Sequence, residues 1–380
     1  MSPKKRRIRQ CKLTVGIVAL ALAAPPTAAG ATDTIELRSK VFGASNVDQH
    51  TGDVRRGRVL LSWLGVSSFV AAIDGRVVLL DAYVHRGPRR GYVPLTVDEV
   101  ADLRPERIYM GHGHYDHIGD VDQIARRSGA QLVGTAEHCA TMRARHTASG
   151  TPGPAPDCLA AMPAAAAMGV TASLPALGDT EVVAVRQPLS ALATPDLRSR
   201  PAPFVPAIDA MTVLRGAAVD AGVTDVTTLL CGLLRGRAPK PAPFLAGGRY
   251  PEGGTLLYRF RVGGFSFVWN DSAAPLRERG RSLSPVLRQL GPIDVHLGAV
   301  YTVNMLTNGF RDTRDYVEAL RPKVFVPSHH DILGPGRSAR WPLQRELDRM
   351  PADVRPELRF LSDPTDYARP GALSFPLAGG

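Results

Sequence analysis

The run Gly111-His112-Gly113-His114-Tyr115-Asp116-His117-Ile118-Gly119-Asp120 places three imidazoles and a carboxylate within six positions, and three of the chain's ten histidines in one turn. Imidazole and carboxylate are the usual ligands of zinc and related transition metals. The apolar Ile108-Tyr109-Met110 precedes the run, so a strand over Arg107–Met110 delivers the chain into a turn of ligand-type side chains. In extended backbone His112 and His114 face the same side and can grip one ion. Asp116 and His117 lie past the bend and can reach a second.

Working outward, Val59–Gly65, Ser67–Ile73 and Arg76–Asp81 read as strands, the last two joined by Asp74-Gly75, a strong hairpin signal. Val77-Val78-Leu79-Leu80 is a continuous apolar run, suited to a strand buried on both faces, and it ends in Asp81. Thr96–Leu103 reads as a helix with Thr96 and Glu99 forming a capping box. A helix over Asp120–Arg127 and strands over Gln131–Gly134 and Glu181–Arg186 follow. Thr255–Val262 and Phe265–Trp269 flank Gly263-Gly264 and end at Asn270-Asp271. Ile293–Leu297 and Val324–Pro327 are later strands with a helix, Thr313–Leu320, between them, and the last runs into Ser328-His329-His330-Asp331. Strands and helices alternate in both halves, which predicts an α/β architecture of two sheets packed face to face with helices outside. Four strands thus end in ligand-type residues: Asp81, the 112–117 turn, Asp271 and His329-His330. Strand ends of a layered sheet gather along one edge. Asp271 is the right type to bridge two ions, and His329 to complete the shell of the second ion. Two ions roughly 3.5–4 Å apart can clamp an attacking hydroxide.

His-x-His-x-Asp-His after a strand, a later strand ending in Asp and a final strand ending in Pro-x-His resemble the metallo-β-lactamase superfamily. Trp63-Leu64-Gly65-Val66-Ser67-Ser68-Phe69 through Leu79-Leu80-Asp81 is similar to that fold's first strands. The resemblance spans roughly residues 58–332 and implies an αββα sandwich of two mixed β-sheets flanked by helices, with a dinuclear, usually zinc, site at one sheet edge. It implies His112 and His114 on the first metal, Asp116 and His117 on the second, Asp271 bridging and His329 joining the second, with Asp81 orienting the loop. His330 is then a supporting neighbour of His329. One departure stands out. The family supplies a further histidine to the first metal, yet the strand expected to carry it leads into Gln187-Pro188-Leu189-Ser190, and no histidine occurs between His146 and His296. Three outcomes follow: a weakened first site, a substitute ligand such as His138 or His296, or a single ion. Other divalent metals than zinc fit the same donors.

The first 31 residues carry Lys4, Lys5, Arg6, Arg7, Arg9 and Lys12, an apolar run from Leu13 to Ala24, and Ala29-Gly30-Ala31 as an A-x-A cleavage site. This is the anatomy of a secretory signal peptide, so residues 1–31 are read as a leader and the protein as exported, with no stable membrane span after cleavage. Loss of the leader, with six basic residues and no acid, lowers the formal charge from +11 to +5. No dense basic cluster interleaves with aromatics, so no nucleic-acid partner is expected. Three cysteines remain, and Cys139–Cys158 is the pair that closes a short loop. Residues 32–57 read as a polar, irregular N-terminal extension. Residues 58–380 read as one domain with insertions at about 140–178 and 187–254, rich in Ala, Pro and Gly.

These readings converge on an exported metallo-hydrolase. A metal-bound hydroxide, oriented by Asp116 as the catalytic carboxylate, would attack an ester, lactone, lactam or phosphodiester in a small-molecule substrate. Tyr115 is expected at the rim, and Tyr301 and Asn304 in a loop that touches substrate. The alternative is a catalytically degenerate secreted protein of the same fold that binds metal or ligand, motivated by the absent histidine.

Overall fold

The computed structural model describes residues 28–85, 93–190, 252–300, 308–331 and 339–378. Two seven-stranded sheets form the centre. The first begins with β1 (Arg58–Gly65), β2 (Ser68–Ile73) and β3 (Arg76–Leu80), an antiparallel meander, and continues in parallel through β4 (Arg107–Tyr109), β5 (Gln131–Thr135) and β6 (Cys158–Met162). The second begins with β7 (Thr171–Leu177), β8 (Thr180–Gln187), β9 (Thr255–Val262) and β10 (Phe265–Asn270), all antiparallel. It continues in parallel through β11 (Ile293–Ala299), β12 (Pro322–Ser328) and β13 (Glu357–Leu358). The C-terminal strand β14 (Leu373–Pro376) returns to pair with β1 at the outer edge of the first sheet. Both sheets therefore switch from antiparallel to parallel pairing midway, and both are mixed.

Helices cover the outer faces. On the first sheet these are α1 (Ala28–Phe42), α2 (Val97–Asp102), α3 (Tyr115–Ile118), α4 (Val121–Ser128) and α5 (Ala136–Ser149); on the second, α6 (Leu276–Arg279), α7 (Leu283–Leu290), α8 (Arg311–Leu320) and α9 (Arg340–Leu347). The expected capping box of α2 is present: Thr96 Oγ1 accepts the Glu99 amide and the Glu99 carboxylate accepts the Thr96 amide. Among the described residues no helix is long and apolar enough to cross a membrane.

Aromatic rings fill the space between the sheets. Tyr109 of β4 meets Tyr258 and Phe260 of β9 edge-on, with ring centroids 5.3 and 5.0 Å apart, and Phe260 stacks on Phe267 at 4.6 Å. The Tyr258 hydroxyl donates to the Met110 carbonyl at 2.9 Å, so the ring supplies both apolar area and a polar tie at the point where β4 opens into the histidine turn.

Two expectations need correction. Residues 32–57 are not irregular: α1 runs through Phe42, buries Val41 and Phe42, and is tied back by the Arg38 guanidinium to the carbonyls of Leu103 and Gly52. Ala29-Gly30-Ala31 lies within that helix; residues 1–27 lie outside the described residues. The Ala- and Pro-rich stretch read as an insertion at about 140–178 is part of the sandwich itself. It completes α5 and supplies β6 and β7, the edge strands of the two sheets, between which the chain crosses from one sheet to the other. Their period-2 pattern is faint because an edge strand need bury little; Pro175 in β7 is tolerated there for the same reason. Most of the second supposed insertion, 191–251, lies outside the described residues. The Cys139–Cys158 disulfide is present as expected.

Truncating Phe260, which packs on rings of both sheets, leaves a cavity at their interface. Phe260→Ala is expected to lower the unfolding free energy by about 3–5 kcal/mol, measured by urea denaturation.

Candidate metal centre

The β3 strand ends in Asp81, whose backbone is left-handed (φ 52°), a conformation short polar side chains tolerate. The turn aims a fully buried carboxylate back under the histidine loop. Its Oδ1 accepts the Gly111 amide at 3.0 Å, and its Oδ2 lies 2.7 Å from both His117 Nδ1 and Ser67 Oγ. Burial and the negative charge of Asp271 push the Asp81 carboxyl up to about 7, against the pull of His117. With Nδ1 occupied in this way, His117 presents Nε2 to the site.

The 111–117 turn is pulled onto the second sheet by Asp271, at the end of β10. Asp271 Oδ2 lies 2.6 Å from His112 Nδ1 and 3.4 Å from His117 Nδ1. Gly111 permits this approach: a Cβ there would fall inside the Asp271 carboxylate. His329, just past β12 and also left-handed (φ 61°), places Nε2 at 3.1 Å from His117 Nε2 and 3.2 Å from Asp116 Oδ2. Its amide donates to the Val66 carbonyl at 2.7 Å, so the β1–β2 turn of the first sheet holds a ligand of the second. His114 Nδ1 lies 3.0 Å from His112 Nε2.

All six expected ligands, His112, His114, Asp116, His117, Asp271 and His329, thus meet at one edge of the sandwich. Within them two sets of donors, His112–His117–Asp271 and Asp116–His117–His329, each lie within 4.8 Å of one another, and both sets are buried. Burial opposes charge on His117, but Asp116 and Asp81 outweigh it and raise the imidazole to about 10. Burial likewise opposes ionisation of Asp116 and Asp271, yet the imidazoles beside them hold both carboxyls below the usual range. Burial lowers His112, and it lowers His114 to about 3. The donor set fits a cation on geometry as well as chemistry. Asp271 Oδ1 is buried without a hydrogen-bond partner among the described residues, and ring nitrogens approach in pairs, His112 Nε2 to His114 Nδ1 and His117 Nε2 to His329 Nε2.

Among the described residues nothing takes the place of the absent histidine. His138 Nε2 is engaged with the Glu252 carbonyl at 3.1 Å, and His296 Nε2 with Asn270 Oδ1 at 2.6 Å, its ring against Phe325. Burial keeps both neutral, at about 4 and about 3. His146 turns to the Gly153 carbonyl. At the end of β8, Gln187 accepts the Tyr316 hydroxyl of α8 at 3.0 Å. His330 packs between Trp63 and Phe360, next to His329 in the chain. Tyr115 sits half-buried at the rim, edge-on to Tyr83 at 5.7 Å. Tyr301 and Asn304 lie outside the described residues. Sequence reasoning missed Ser67, Gly111 and Asp331. The last accepts the Val66 amide at 2.8 Å and the Tyr367 hydroxyl at 2.6 Å, bracing the turn that holds His329.

Fold and site together define a layered α/β protein with a buried His/Asp centre. Residues 61–182 match the sequence model of the metallo-beta-lactamase superfamily. The chain is 39% identical over 77 residues to a UPF0173 metal-dependent hydrolase of Methanopyrus kandleri, covering 20% of this chain and 31% of that one. It is 36% identical over 94 residues to a namesake from Methylocella silvestris, covering 24% and 38%. The matched stretch thus spans about a third of the length of these relatives. Among solved structures, the metallo hydrolase Igni18 of Ignicoccus hospitalis aligns over 80% of this chain and 95% of its own, at 15% identity and a TM-score of 0.46.

Gly111→Ala keeps every donor residue in the chain but forces the Asp271 carboxylate away from the turn. Metal per chain, by elemental analysis, is expected to fall clearly below wild type while far-ultraviolet circular dichroism is unchanged. Full metal retention would show that Asp271 is not a ligand.

Proposed function

We propose that this chain is an exported metal-dependent hydrolase whose centre takes zinc and activates water against an ester, lactone, lactam or phosphodiester. The observation that carries the reading is the pair of three-donor sets sharing His117, assembled from both sheets at one buried edge. Relatives named as metal-dependent hydrolases support it. Export is supported by the basic and apolar leader sequence and by the disulfide, a bond that persists in oxidising compartments.

In this reading His112, His114 and Asp271 would hold one ion, and Asp116, His117 and His329 the other. A divalent ion so held lowers the pKa of a coordinated water towards about 7 and offsets charge developing on the substrate. The chain's own residues do the rest. Asp116, kept ionised by His117 and His329, can accept a proton at a carboxylate oxygen and return it to the leaving group. Asp81 and Ser67 fix the His117 ring so that Nε2 faces inward. With no third histidine, the first position has the poorer donor set and binds its ion more weakly than the second.

The second reading, a metal-binding protein of this fold without catalysis, is favoured by Gln187, which is committed to Tyr316 where the family places a ligand. One experiment separates them. Purified protein is assayed for metal content and for hydrolysis of a panel of esters, lactones, lactams and phosphodiesters, beside His114→Ala and His329→Ala. At least one zinc-like ion per chain is expected, reduced in both variants, with turnover of one substrate class lost in both. Metal without turnover selects the second reading; full metal in both variants rejects the ligand assignment.

A further inference from the structure

We propose that His138, which sits outside the donor cluster, is a positioning residue for the metal-binding turn and acts through the main-chain carbonyl of Glu252. The proposal rests on reading the 111–117 turn as a metal centre.

Residues 252–256 run past that turn as a strap. The Leu256 amide donates to the Gly111 carbonyl and the Gly113 amide to the Glu252 carbonyl, both at 2.8 Å. These two bonds bracket His112, so the place of that imidazole depends on where the strap lies. The strap is in turn held from the first turn of α5. Thr135 Oγ1 donates to the Gly253 carbonyl at 2.6 Å, and His138 Nε2 lies 3.1 Å from the Glu252 carbonyl. Thr135 and His138 also cap the helix reciprocally: Thr135 Oγ1 accepts the His138 amide at 3.0 Å, and the Thr135 amide donates to His138 Nδ1 at 3.2 Å. Because Nδ1 is the acceptor, the ring proton is on Nε2, and Nε2–H donates to the Glu252 carbonyl. One neutral imidazole therefore links the helix cap to the strap, and the strap to the turn.

The local sequence is built around this contact. A Cβ at Gly113 would lie 2.7 Å from the Glu252 oxygen, and one at Gly134 would lie 2.8 Å from His138 Nδ1. Gly253 has φ +74°, and a Cβ there would press on the His138 ring. Three positions thus lack side chains where one would part the strap, the ring and the turn. The next residue, Cys139, is bonded to Cys158 of β6, which fixes the base of the imidazole to the sheet. The Glu252 carbonyl already has one donor in Gly113, so the second does not rescue a buried orphan; it sets the carbonyl's direction.

The test measures zinc dissociation constants by competition with a chromogenic chelator, and thermal unfolding of the metal-free forms, for wild type, His138→Asn, His138→Gln and His329→Ala. Asparagine keeps a capping acceptor but is too short to reach Glu252; glutamine carries an acceptor and a donor on a longer arm. His138→Asn is expected to weaken zinc binding by about 10–100-fold, as for other residues that orient ligands, with little change in metal-free unfolding, and His138→Gln to restore most of it. Zinc binding by His138→Asn within about twofold of wild type, with His329→Ala weakened, overturns the proposal. Unchanged binding in His329→Ala as well overturns the metal-centre reading beneath it. Should His138→Asn not fold, Thr135→Val, which removes the hydroxyl bonded to Gly253, is measured instead; weakened binding supports the proposal and unchanged binding overturns it.

Discussion

The Asp81 carboxylate is the constraint on which the rest of the centre depends. A buried carboxylate is costly unless its oxygens are filled. Those of Asp81 are filled by the Gly111 amide, the His117 ring and the Ser67 hydroxyl. These partners are the start of the ligand turn, its last imidazole, and the β1–β2 connection. One side chain thus fixes both ends of the turn against the first sheet, and the spacing of the ligands within it follows.

The second sheet reaches the same centre through the β1–β2 turn. The Val66 carbonyl accepts the His329 amide and the Trp63 indole, and the Ser67 carbonyl accepts the Trp269 indole, two residues before Asp271. Val66, Asp81 and His329 all have positive φ. Left-handed backbone at residues other than glycine costs on the order of 1–3 kcal/mol each and persists only where surroundings dictate it. Here those residues meet around the ligands. They are three of the seven left-handed residues other than glycine among the described residues; Asp74, Arg104, Arg321 and Ala368 are the rest.

Much of this was legible in the sequence for a physical reason. Strands buried on both faces, such as β3, must be continuous apolar runs, and they end abruptly where polar ligands begin. The Asp74-Gly75 hairpin and the Thr96–Glu99 cap carry local signals that survive any tertiary context. The candidate ligand residues were readable because metal chemistry restricts residue type. The illegible parts are those where burial is slight or the contact is backbone. The edge strands β6 and β7 show little alternation, and α1 is too polar to stand out. Ser67, Gly111 and Glu252 act through a hydroxyl, a missing side chain and a carbonyl, which no spacing rule announces. The fate of His138 and His296 needed tertiary structure, since only the fold shows that their nitrogens are already committed to Glu252 and Asn270.

The donors are divided between the two sheets: the turn after β4 belongs to one, Asp271 and His329 to the other. A cation seated among them is therefore a rivet through the layers rather than an ornament on either. Ion concentration becomes a variable of folding: at about a hundred times the dissociation constant a native-only ligand adds about 2.7 kcal/mol. In a metal-poor medium a chain that holds such an ion would lose that clasp, and its durability would follow the concentration of one solute.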